Sequence, residues 1–122
     1  MSRLIKIEVK GEVEFRSMFD RAWHPKLVEV LLWIETRYRV VITEGSRPPR
    51  RPGDVHATTP LRAFDLRSWV FDNPEWVANR INRAWVYDPD RPDMNVAVLH
   101  DSGEGIHFHI QVHDNTYLKG VI

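Results

Sequence analysis

Cysteine is absent from this chain of 122 residues. Its absence excludes disulfides and thiolate ligands, so any metal site must be built from histidine, aspartate and glutamate. An excess of one charge is absent too, because 17 Lys and Arg residues balance 17 Asp and Glu residues. A neutral balance gives no support to binding of nucleic acid or of a membrane surface, both of which favour a basic excess.

Long hydrophobic runs are also missing. No apolar stretch approaches the roughly 20 residues that span a bilayer, and the first residues carry charges at short intervals instead of the apolar core of a signal peptide. We therefore expect a protein that is cytoplasmic as synthesised. The length suits one domain, and a hydrophobic content of 43% is typical of a folded core. With no repeat and no low-complexity segment, we expect a single domain over residues 1–122 and a monomer.

Hydrophobic periodicity and capping residues predict a small α+β fold, an antiparallel sheet with helices packed on one side. The first 20 residues predict an N-terminal hairpin, with strands at 4–9 and 13–15. Pro25 suits the first position of a helix, and the run Asp72-Asn73-Pro74-Glu75 predicts the start of a second one, with a cap, a first-turn proline and an acid. The remaining predicted elements are the helices 25–38 and 74–85, with Trp76, Val77, Ile81 and Trp85 as the apolar face of the second, the strands 40–43, 61–69, 95–99 and 107–112, and a proline-rich loop at 47–60.

Histidines alternate along the last predicted strand. Phe108, Ile110 and Val112 lie on one face, and the opposite face carries His107, His109, Gln111 and His113. A strand with this pattern buries its apolar face, and its polar face is either solvated or used to bind a metal or a substrate. Both interpretations stay open from the pattern alone.

Asp65 stands in the middle of a predicted strand, between Phe64 and Leu66. Aspartate is disfavoured inside strands and costly to bury without a partner. Either a nearby arginine, Arg62 or Arg67, compensates its charge, or a bound cation does so.

Four further observations favour a metal-dependent hydrolase. Two histidines and an aspartate supply the three nitrogen and oxygen ligands that catalytic zinc takes, with a fourth position left open for water. Glu104 stands three residues before His107 and is suited to accept a proton from that water. His56 lies in the proline-rich loop, and Arg47 just past a strand end can grip a carboxylate in two places.

Three segments together carry a family resemblance: residues 40–47, which end in Arg47, residues 56–65, and the run Glu104-Gly-Ile-His107. Their order resembles the zinc D-Ala-D-Ala carboxypeptidase and L-Ala-D-Glu endopeptidase family, which has the hedgehog/DD-peptidase fold and includes many phage endolysins. The resemblance covers about residues 25–113. It implies that His56, Asp65 and His107 are the zinc ligands, with His109 as a rival third ligand or a substrate contact.

The resemblance also implies a reaction. Glu104 corresponds to the catalytic base, and Arg47 to the arginine that contacts the substrate or the transition-state oxyanion. The implied cofactor is Zn²⁺, and the implied partner is the stem peptide of bacterial peptidoglycan, a substrate rich in free carboxylates. The alternative is a non-catalytic, zinc-binding phage structural or assembly module of the same fold.

Overall fold

Two helices and seven strands make up the regular structure of the described residues. The computed structural model describes residues 6–11, 16, 19–101, 103 and 105–120. In chain order the elements are β1 (Glu8–Val9), α1 (Pro25–Glu35), β2 (Val41–Glu44), β3 (Ala63–Arg67), α2 (Pro74–Ala84), β4 (Trp85–Val86), β5 (Ala97–Asp101), β6 (Ile106–Gln111) and β7 (Tyr117–Leu118). Within these residues, neither helix is long and apolar enough to cross a bilayer.

Helix α1 begins where the sequence predicts it, at Pro25. The His24 side chain caps it, because its Nδ1 accepts a hydrogen bond of 3.0 Å from the backbone N–H of Lys26. The helix ends at Glu35, three residues before the predicted end, since the N–H groups of Arg37 and Tyr38 both bond to the carbonyl of Ile34 and close a turn. This turn leads the chain directly into β2.

Helix α2 confirms the predicted start at Pro74. The Asn73 side chain accepts a hydrogen bond of 3.1 Å from the backbone N–H of Trp76. The predicted apolar face is wrong at Trp76, which is 52% exposed and stacks beneath the guanidinium of Arg80. Ala78 is buried instead, so the contact face lies one position further along the helix.

Five strands form the main sheet, in the order β1-β2-β3-β6-β5. The pairs β2–β3, β3–β6 and β5–β6 are antiparallel, as predicted, but β1 runs parallel to β2, with Glu8 opposite Val41. The sheet is therefore mixed, because the connection from β1 to β2 crosses over through α1 and does not turn back in a hairpin. The second strand of the predicted hairpin, residues 13–15, lies outside the described residues.

The two central strands, β3 and β6, divide the molecule into an apolar and a polar side. Their residues Phe64, Leu66, Phe108 and Ile110 are at most 1% exposed and share one core with both helices. Alternation then directs the other side chains of the same strands to the opposite face of the sheet. The α+β class is confirmed, and the polar face is the one that carries Asp65 and the histidines.

Replacing Phe108 by alanine tests this core. Phe108 is fully buried and packs against Phe71, with ring centroids 5.1 Å apart. We expect a loss of about 3–5 kcal/mol in the free energy of unfolding, measured by urea denaturation, because burial and packing are both lost. Val28→Ala, on the exposed side of α1, is the control and should cost less than about 1 kcal/mol. Equal effects of the two substitutions would contradict this core.

Candidate metal centre

A cleft of about 650 Å³ opens on the polar face of the sheet. Its floor is formed by β3 and β6. One wall is the end of β2 with the segment that follows it, including Glu44 and Arg47, and the other wall comprises Asp93 to Asn95 and part of β5. His56, Asp65, His107 and His109 also line this cleft, so with Arg47 the structure brings five of the predicted site residues to one place.

Three of these side chains converge on one point. His56 Nε2 lies 3.2 Å from Asp65 Oδ1. His109 Nδ1 lies 3.0 Å from the same oxygen and 3.2 Å from His56 Nε2. The three atoms form a nearly equilateral triangle, and His56, Asp65 and His109 are a group that could hold a metal ion.

The far side of the His56 ring determines which nitrogen carries the proton. Its Nδ1 lies 2.8 Å from the carbonyl oxygen of Gly45, which can only accept. Nδ1 is therefore protonated and donates to Gly45. In the neutral ring, Nε2 then presents a lone pair to the centre of the triangle.

The His109 ring is fixed in the same way by Gln111. The amide nitrogen of Gln111 donates to the carbonyl of Asn95 at 2.9 Å, which leaves the amide oxygen to face His109 Nε2 at 3.1 Å. This oxygen can only accept, so His109 Nε2 is the donor and Nδ1 carries the lone pair in the neutral ring.

Three acceptor atoms thus face one another with no hydrogen between them when both rings are neutral. Such a group is repulsive in a partly buried setting unless a cation lies among the three atoms. If His109 were protonated on both nitrogens, it would donate to Asp65 and to Gln111. His56 Nε2 would then have no donor of its own and would share the hydrogen between His109 and Asp65. A metal ion satisfies all three atoms at once.

The electrostatics of Asp65 agree with this arrangement. Burial alone would raise its pKa, but when the rings carry a proton toward Asp65, hydrogen bonds from His109 and His56 and the charge of those rings outweigh burial and hold the pKa of Asp65 well below its usual range. The carboxylate is therefore ionised at neutral pH. Of the two partners expected from sequence, a cation site fits better than an arginine, since Asp65 contacts the two histidines.

Strand register explains why His109, and not His107, completes the triangle. Asp65 on β3 is directly opposite His109 on β6, whereas His107 is opposite Arg67. Directly opposite residues on one face have closer Cβ atoms than residues two positions away, which agrees with the distance of 3.0 Å between His109 Nδ1 and Asp65 Oδ1. His107 lines the cleft beside the group, and the rival ligand His109 belongs to the group that could hold a metal ion; which of the two binds a metal stays a prediction.

His56 lies in the loop after β2, yet it is only 1% exposed. The loop contains a single 3₁₀ turn, Val55–Ala57, where the sequence predicts only irregular structure. Asp54 caps this turn, because its Oδ1 accepts from the backbone N–H of His56 at 3.1 Å. The signal for such a turn in the sequence is Asp54 itself, because an aspartate side chain readily accepts from the backbone N–H two residues further on.

Of the two predicted catalytic residues, the structure describes Arg47 and does not describe Glu104. Arg47 lines the cleft, and its two terminal nitrogens contact Glu44 at 3.1 Å and Asp54 at 3.2 Å. Glu104 lies outside the described residues, so its role as a base stays a prediction. The sequence also placed Gln111 on the polar face without a role, and the structure gives it one in orienting His109.

The distances agree with those of a metal site. Tetrahedral zinc with bonds of about 2.0–2.1 Å separates its ligand atoms by about 3.3 Å. The three edges measured here are 3.0, 3.2 and 3.2 Å. The donor set is two imidazoles and one carboxylate, each ring held from behind by a carbonyl oxygen, as metal-binding histidines usually are.

Comparisons with protein-family models, with curated proteins and with solved structures find no significant match to this chain. The function therefore has to be inferred from the geometry of the site and from the sequence.

Histidine variants separate the two ligand sets. We expect the protein to bind one divalent transition-metal ion, and His109→Ala to weaken that binding by about 100-fold or more, because a lone pair of the triangle is lost. His107→Ala should change the affinity by less than about threefold, since His107 is not part of the group. Competition with a chromophoric chelator measures the metal affinity of both variants. His100→Ala, which removes another histidine from the lining of the same cleft, is the control. A large loss in His107→Ala with none in His109→Ala would reverse the assignment.

Asp54→Asn should reduce stability in a pH-dependent way. Burial would raise the pKa of Asp54, but the backbone N–H groups of Arg50 and His56 and the charge of Arg47 lower it below its ordinary 3.8. A lowered pKa stabilises the fold above the ordinary value, and this contribution is lost as the pH falls below 3.8. With a chelator present to remove metal, urea denaturation should show that the free energy of unfolding of the variant is about 2–3 kcal/mol below that of the wild type at pH 7. This difference should become smaller near pH 3.

The exposed residue Asp20 provides the control for this measurement, because Asp20→Asn should have little effect at either pH. A deficit in Asp54→Asn of the same size at both pH values would show that the ionised carboxylate is not what stabilises the loop.

Proposed function

We propose that the protein is a zinc-dependent peptidase that hydrolyses peptide bonds in the stem peptide of bacterial peptidoglycan. The observation that carries the proposal is the convergence of three lone pairs, on His56, Asp65 and His109, at the floor of an open cleft of about 650 Å³. The sequence resemblance described above supplies the substrate class.

The donor set favours zinc over other common metals. Two imidazole nitrogens and one carboxylate oxygen suit Zn²⁺, whereas Mg²⁺ and Ca²⁺ take mainly oxygen ligands. Among the described residues, the group has three members and not four. Structural zinc sites are usually closed by four protein ligands, and catalytic ones keep a position open, so a three-membered group facing a cleft favours catalysis.

Bound zinc would supply two kinds of chemistry here, a lowered pKa for water and polarisation of the peptide carbonyl. The chain itself supplies the orientation. Gly45 and Gln111 hold the two rings with their lone pairs toward the cleft, and the ionised Asp65 contributes a negative charge that balances part of the charge of the ion. The volume of the cleft, about 650 Å³, lies within the range of small-ligand sites and suits a short peptide.

Glu104 is the residue proposed to hold the proton between its removal from water and its delivery to the leaving amine. A purely structural metal site needs no such acid, which is why a glutamate shortly before β6 favours an enzyme over a non-catalytic module. Peptide hydrolysis requires both transfers, and a single carboxylate can perform them in turn.

Glu104→Gln tests the proposed reaction. We expect release of peptides from purified peptidoglycan to fall by about 10²–10⁴-fold, because the amide cannot accept the proton. Zinc affinity should stay unchanged, since Glu104 is not one of the three ligands. Mass spectrometry of the released fragments measures turnover and identifies the bond that is cut.

Glu29→Gln, on the exposed side of α1, is the matched control and should be fully active. Full activity in Glu104→Gln would contradict the assigned base. A wild-type protein that binds zinc stoichiometrically but releases nothing from peptidoglycan would contradict the enzyme and favour the non-catalytic module.

A further inference from the structure

Three arginines follow β2 and line the same wall of the cleft: Arg47, Arg50 and Arg51. The segment 44–54 also contains the carboxylates of Glu44 and Asp54. Three arginines against two carboxylates leave one positive charge unbalanced at this wall. The structure distinguishes the three arginines by how completely their donors are already engaged.

Arg47 has little left to offer a ligand. Its side chain is 12% exposed, and one terminal nitrogen donates to Glu44 at 3.1 Å. The other terminal nitrogen contacts both oxygens of Asp54, at 3.3 and 3.2 Å. Its Nε is buried, with no hydrogen-bond partner among the described residues. A substrate carboxylate could reach Arg47 only by displacing a buried ion pair, which is costly.

Asp54 connects Arg47 to the metal centre. Its side chain is 0% exposed, and besides Arg47 it accepts the backbone N–H groups of Arg50 at 3.0 Å and of His56 at 3.1 Å. The backbone of Arg47 also donates to the carbonyl of His56 at 2.9 Å. Arg47 therefore neutralises the carboxylate that holds the turn on which His56 lies.

Arg50 and Arg51 have the opposite character. The side chain of Arg50 is 68% exposed, and its contact with Glu44 is 3.5 Å long, at the limit of a hydrogen bond. Arg51 is exposed, and in the described part of the chain its guanidinium makes no hydrogen bond or ion pair. Both guanidiniums are exposed, and that of Arg50 has only this one long contact among the described residues, so each can present two parallel N–H donors to an incoming anion.

We infer that Arg50 and Arg51 recognise a free carboxylate of the substrate, and that Arg47 is a positioning residue that holds His56 through Asp54. The inference rests on the proposed function for the identity of the substrate. It reverses the role that the sequence resemblance implies for Arg47. It also makes the enzyme selective for peptides that carry a carboxylate close to the bond that is cut.

Two measurements on the zinc-loaded protein and its variants separate these roles. The first is the affinity for Zn²⁺, by chelator competition. Arg47→Gln should weaken it by about 10–100-fold, as the loss of an outer-shell partner does. Arg47→Lys, which keeps the positive charge, should recover part of the zinc affinity. It is the test variant if Arg47→Gln does not fold. The double variant Arg50→Gln/Arg51→Gln should bind zinc as the wild type does.

The second measurement is the binding of acetyl-D-Ala-D-Ala and of its C-terminal amide, by NMR titration. The double variant should bind the acid about tenfold more weakly and the amide unchanged, because only the acid offers a carboxylate to the arginines. Arg80→Gln, on α2 and outside the cleft lining, is the matched control and should bind both as the wild type does.

Unchanged zinc affinity in both Arg47 variants would overturn the positioning role, and so would a selective loss of acid binding in Arg47→Lys. A wild-type protein that binds acid and amide equally would overturn the role of Arg50 and Arg51. These outcomes differ from failure of the proposed function, which would appear in the wild type as absent zinc binding or as zinc binding without release of peptides from peptidoglycan.

Discussion

The polar face of the main sheet is organised around three atoms that repel one another unless a positive charge lies among them. His56 Nε2, Asp65 Oδ1 and His109 Nδ1 lie 3.0–3.2 Å apart, and when both rings are neutral each atom presents a lone pair to the other two. No rotation of the rings relieves this, because Gly45 and Gln111 bind the opposite nitrogen of each ring. The arrangement is favourable around a positive charge, whether that of a metal ion or of a proton on one of the rings, so this group could hold a metal ion.

The apolar half of the sheet makes that arrangement possible. Phe64 and Leu66 flank Asp65 along β3 and are buried under the helices, so the strand cannot rotate to move the carboxylate into solvent. Phe108 and Ile110 fix His109 on β6 in the same way. Because the two strands pair in one register, hydrophobic burial on one face sets the positions of charged groups on the other.

The sequence predicts the faces of these strands well and the contacts between them poorly. Alternation around Asp65 and along β6 is local information, and both faces are confirmed. Choosing His109 over His107 requires the pairing of Asp65 with His109, which depends on register between distant segments. The parallel position of β1 and the roles of Asp54 and Gln111 likewise depend on contacts across the fold. Trp76 was misassigned because α2 is rotated by one position.

The three members of this group are held with unequal strength, and this links the group to the wall of the cleft. Asp65 and His109 lie on paired central strands, whereas His56 lies on a loop held by Asp54, Arg47 and the carbonyl of Gly45. A cation that binds all three ligands stabilises the ordered loop by the same free energy that the ordered loop adds to its binding. The same loop carries Arg50 and Arg51. Ordering of the loop therefore positions His56 at the group and the two arginines along the cleft at the same time.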